Sequence, residues 1–69
     1  MSSIAGIYAR RFHQGLARDG FCYVSLRDRI KKASVLVDRW GGDDLIYHFS
    51  DGSKLIERRI VREFKLFKG

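Results

Sequence analysis

Hydrophobic positions along the chain recur in two rhythms, and the changes between them mark its elements. Ile4, Tyr8, Phe12 and Leu16 return every fourth residue, which puts them on one face of a helix, with Arg10, His13, Gln14 and Arg18 turned away. Ser2 or Ser3 stands where a capping oxygen is needed. Gly6 and Gly15 each cost this helix about 1 kcal/mol relative to Ala. Asp19-Gly20 marks its end, because glycine suits a left-handed terminal position.

"FCYVS" follows, short and rich in β-favouring side chains, and reads as a strand. In "SLRDRIKKASVLVDRWGG", Leu26, Ile30, Ala33, Val37 and Trp40 are spaced four, three, four and three apart. That spacing predicts a second helix, opened by Ser25 with Asp28 in a capping-box-like arrangement and stopped by Gly41-Gly42. The adjacent Val35, Leu36 and Val37 support a competing strand over "SVLVDRW", but "RDRIKK" shows no strand alternation. The helix is preferred.

The sharpest local signal is "LIYHF-SDGS-KLIE". Two apolar runs flank a turn in which glycine supplies a positive φ, and a β-hairpin around Ser50–Ser53 is expected. For "ERRIVREFKLFKG" a helix beyond Glu57 groups Ile56, Ile60, Phe64 and Phe67 on one face. Lys54, Arg58, Arg62, Lys65 and Lys68 fall opposite. The alternating strand reading would set arginines among core residues, so the helix is preferred again. The expected fold is α+β, in the order α-β-α-β-β-α, as one compact domain over residues 1–69. Helix, helix and hairpin in that order are similar to winged-helix and small phage repressor domains in architecture alone.

At 69 residues a chain buries only about 60% of its extended surface. Five Phe, three Tyr and one Trp are large packing groups that help to compensate. Pairing with a second copy would cover apolar surface left over, so a homodimer is expected. The lone Cys22 cannot form an intrachain disulfide, which points to a reducing, cytoplasmic setting. The opening "MSSIAGIYARRFHQ" meets two arginines before any long apolar run, so no signal peptide or membrane span is expected.

The charge narrows the partners. Fourteen Lys and Arg against eight Asp and Glu give +6, which favours polyanions. Residues 41–52 carry three Asp and no Lys or Arg, whereas residues 53–69 carry six basic and two acidic groups. No catalytic signature appears. Cys22 and His48, with Asp44 or Asp51 to orient the ring, would make a thiol–imidazole pair, but Cys22 between Phe21 and Tyr23 reads as a packing residue. His13, His48, Cys22, Asp43 and Asp44 lack any paired metal-ligand spacing. Neither an enzyme nor a cofactor is expected.

Two functions remain. The first is a basic nucleic-acid-binding module acting through phosphate contacts of Arg58, Arg62 and Lys65, with Lys31 and Lys32. The second is a small protein-binding inhibitor or adaptor, of the size common in phage and mobile elements, that docks on an acidic or larger partner. Trp40, Tyr47 and Arg39 would carry its affinity. Trp40 equally suits a core position, as do Tyr8, Phe12 and Phe67.

Overall fold

The computed structural model describes residues 3–16 and 20–67, with side chains at 15, 16 and 20–22 excepted. Helix α1 spans Ile4–Arg11 and continues as a π-helical turn over Phe12–Leu16. Helix α2 spans Gly20–Ala33. Strands β1 (Leu36–Arg39), β2 (Leu45–His48), β3 (Lys54–Arg58) and β4 (Glu63–Leu66) follow. They form one antiparallel meander in the order β1-β2-β3-β4. The fold is α+β; the element order is α-α-β-β-β-β.

The helical stripe of α1 is centred one residue from the expected line. Ala5 and Ala9 are fully buried, while Ile4, Tyr8 and Phe12 flank them at the core's edge. Two small side chains let the helix backbone lie close to the sheet. The first three N–H groups of α1 have no partner within the helix, and each finds one outside it. Ile4 N donates to Asp51 Oδ2 at 2.8 Å, Ala5 N to Ser53 Oγ at 3.1 Å and Gly6 N to Ser3 Oγ at 3.0 Å. The β2–β3 turn, read correctly as a hairpin turn, therefore also caps a distant helix. Its Gly52 has φ +85°, a conformation that any Cβ would strain.

Tyr23, Leu26 and Ile30 drive α2 onto the sheet, and this corrects the strand expected at "FCYVS". Gly20 opens the second helix instead of closing the first. Local β propensity yields there to burial of Tyr23. The helix stops at Ala33, where Ser34 N donates to Ile30 O at 2.9 Å and Ser34 Oγ to Lys31 O at 2.7 Å. Val35 N already joins the ladder through His48 O at 2.8 Å. The strand alternative for "SVLVDRW" was the right one. Gly41 and Gly42, at φ +64° and +55°, form the β1–β2 turn and stop no helix.

The C-terminal helix is likewise replaced, by β4. Leu55 and Glu57 face the helices, and the turn Arg59–Arg62 shifts the phase so that Phe64 and Leu66 do so next. That shift keeps the arginines out of the core, the objection that had favoured a helix. Phe64 is fully buried between Tyr23, stacked at 5.0 Å, and Phe12, edge-on at 5.7 Å. Ile60, expected beside it, is 80% exposed.

Phe64→Ala should therefore cost about 3–5 kcal/mol in chemical denaturation, whereas Ile60→Ala should stay within about 0.5 kcal/mol of the parent. A second expectation concerns Asp51. Hydrogen bonds from Ser53, then from Ile4, hold its carboxyl below the usual carboxylate range. The folded state then binds this proton more weakly than the unfolded chain. Its contribution is complete above about pH 4 and disappears as pH falls through the lowered value. Asp51→Ala should flatten the acid limb of a stability–pH curve while leaving its alkaline limb unchanged.

Candidate functional site

The two turns Gly41–Asp44 and Arg59–Arg62 lie at the same end of the meander, where α2 begins. Between them opens a cleft of about 420 Å³. Its wall from α2 is Tyr23, Val24 and Arg27, its opposite wall is Arg59, Ile60 and Arg62, and Asp43 stands at the rim. At its base lies Glu57, 1% exposed and the one charged side chain buried among the described residues.

Glu57 faces inward because it alternates with Ile56 on the central strand β3. Its carboxylate is held from two sides. Tyr23, on α2, donates its hydroxyl to Oε2 at 2.5 Å, and Tyr47, on β2, donates to Oε1 at 2.6 Å. Burial, then the bond to Glu57 and its charge, push both hydroxyls well above the ordinary tyrosine range. Arg27 pulls both back, and Arg59 pulls back Tyr47. Both guanidinium groups therefore act electrically on the buried cluster from the cleft walls.

Arg27, Arg59 and Arg62 themselves make no ion pair with a carboxylate among the described residues, whereas Arg58 meets Glu63 at 3.9 Å. Three guanidinium groups thus share one cleft with Asp43 and Glu57, and planar donor forks of this kind can pair with anionic oxygen. Arg62 also has φ +53°, a left-handed conformation uncommon for a residue with a Cβ.

The basic residues expected to act together are dispersed. Arg62 is in the cleft, and exposed Lys31 lies one helical turn beyond Arg27. Exposed Lys32 falls on a different face of α2. Arg58 and exposed Lys65 alternate with the buried Glu57 and Phe64, so both stand on the sheet face away from the helices. The helical face proposed for Arg58, Arg62 and Lys65 does not exist, because the segment is strand and turn: Arg58 and Lys65 share the sheet face away from the helices, and Arg62 stands apart in the turn. Tyr47 is no partner anchor, since it is 2% exposed and bonded to Glu57. Trp40 is 44% exposed and sits edge-on against Phe67 at 5.0 Å, following exposed Arg39 at the end of β1. Phe67 is half-buried there, and Lys54 Nζ lies 5.5 Å from its ring centre.

His48 Nε2 is buried and lies near Asp38 Oδ2 across the strand pair without hydrogen-bond alignment. The side chain of Cys22 lies outside the described residues, and so does the expectation that it serves as a packing residue. Sequence reasoning missed Arg27, Arg59, Tyr23 and Glu57. The available signal was "RRIVR", with too few residues between two strands to make anything but a turn. The chain matches no family model, no curated protein and no solved structure.

Tyr47→Phe should cost about 1–3 kcal/mol at neutral pH, by taking one donor from a buried carboxylate. The alkaline limb gives a separate reading. Both raised hydroxyls keep protons that the unfolded chain releases above about pH 10, so stability should fall beyond that pH. The fall should approach roughly 1.4 kcal/mol per pH unit for each tyrosine, and Tyr47→Phe should halve it. Urea denaturation from pH 7 upward measures both effects.

Proposed function

We propose that the protein binds nucleic acid, mainly through phosphate contacts made in the cleft between α2 and the β3–β4 turn. The observation that carries this reading is the convergence of Arg27, Arg59 and Arg62 on one cleft without carboxylate partners among the described residues. Guanidinium forks match phosphate oxygens in pairs, and a polyanion gains further from counterion release. Lys31 extends the same flank along α2. The net charge of +6 adds long-range attraction. Glu57 at the base and Asp43 at the rim offset part of this charge, and the three guanidinium groups exceed these two carboxylates.

A protein partner is the second reading, and it belongs to another surface. Exposed Trp40, with Phe67, Lys54 and the buried Ile46, borders a depression of about 300 Å³ on the sheet face away from the helices. An exposed Trp beside a shallow depression has the character of an interface anchor.

The two readings separate by mutation. Arg27→Gln, Arg59→Gln and Arg62→Gln combined should lower the melting temperature modestly, because Arg27 and Arg59 act on the buried cluster, while the chain stays folded. The triple variant should bind labelled duplex DNA more weakly, with the slope of log affinity against log salt reduced by roughly one unit for each phosphate no longer neutralised. Trp40→Ala should leave that slope alone. Unchanged affinity and slope in the triple variant would remove the cleft from nucleic-acid binding.

A further inference from the structure

The β3–β4 turn carries a feature that phosphate binding does not use. The hairpin closes at the Arg58–Glu63 pair, leaving Arg59, Ile60, Val61 and Arg62 as its tip. Ile60 is 80% and Val61 57% exposed. Two adjacent β-branched apolar side chains are thus exposed at the end of the hairpin, with an arginine on either side. The flanking cations select what can cover them. An apolar tip between two guanidinium groups fits a surface that offers anionic oxygen at its edges and apolar area between.

We propose that this tip is a wedge that enters the minor groove of duplex DNA and bends it at a base step; the inference rests on the nucleic-acid reading of the cleft. Phosphates border the minor groove on both sides, as Arg59 and Arg62 border the tip, and base edges lie between; the apolar base faces open only where a step is unstacked. Apolar side chains inserted there partly unstack a step and kink the duplex away from the protein. The tip is built to hold its shape while doing so. Arg58 and Glu63 are joined by strand pairing and by their 3.9 Å ion contact. Phe64, the next residue, is fully buried. β-Branched side chains have few rotamers to lose on insertion. Because Ile60 and Arg59 also line the cleft, a duplex gripped by the arginines would lie against the tip.

The test compares the full chain with an Ile60→Thr, Val61→Thr variant, which keeps β-branching and the turn but makes the tip polar. The probe is a duplex of about 20 base pairs labelled at its two ends for energy transfer, titrated at two salt concentrations. The wild type should bring the ends closer on binding. The variant should keep the wild-type salt slope, lose most of the bend and bind on the order of tenfold more weakly. Equal bending by both proteins, or tight wild-type binding to an unbent duplex, would overturn the wedge and leave the arginine cleft standing. No wild-type binding to the duplex at low salt would overturn the nucleic-acid reading and the wedge with it. Parallel titrations use mixed phosphatidylserine–phosphatidylcholine vesicles. Loss of vesicle binding by the variant, with duplex binding and bending unaltered, would assign the tip to an anionic membrane surface and overturn the proposal.

Discussion

The structure depends on one buried carboxylate. Glu57 sits on a central strand with almost no solvent contact, and a charge in that position is strongly destabilising unless each oxygen finds a donor. Tyr23 and Tyr47 supply one each. One donor comes from α2 and the other from β2, so satisfying Glu57 requires the helix, the β2–β3 register and the face choice of β3 to be right together. Slipping β3 by one residue would turn Glu57 outward and bring Ile56 in its place. That alternative would bury an apolar side chain, but it would strand two tyrosine hydroxyls in the core. The polar cluster thus adds specificity for one arrangement to the hydrophobic drive toward compactness.

The same cluster shapes the cleft. A base of hydrogen-bonded oxygen and aromatic rings is rigid, and the walls around it carry cations from two otherwise independent elements, α2 and the β3–β4 turn. Arg27 and Arg59 act electrically on the tyrosines below, so cleft and core share one electrostatic system. At the other end of the meander, the turn Ser50–Ser53 performs the opposite task. There Asp51 and Ser53 accept from the helix N-terminus, where an anion is favoured by the helix dipole. One end of the sheet is occupied with holding the fold. The other leaves Arg27, Arg59 and Arg62 without a carboxylate ion pair among the described residues. This division gives the chain a chemically distinct end without a large domain to support it.

What the sequence by itself determined was local. The "SDGS" turn, the capping serine of α1, the α+β class and the stripe Ile4, Tyr8, Phe12 all rest on interactions within a few residues, where φ preferences and short spacing decide. Leu26 and Ile30 were also legible as core positions, although the helix that carries them ends earlier than its spacing suggested. The tertiary structure decided the rest. "FCYVS" becomes helical because Tyr23 must reach Glu57, thirty-four positions away. "ERRIVREFKLF" satisfies a helical period better than an unbroken strand alternation. The sheet settles it, since β4 completes a ladder on β3 and the turn Arg59–Arg62 changes the alternation in mid-segment. A buried glutamate cannot be read from a pattern that equates charge with surface. Nor can an arginine cleft be read when its members come from positions 27, 59 and 62. Charge count and composition are sums along the chain, whereas a site is a set of distances, and only the packing of α2 across the sheet sets those.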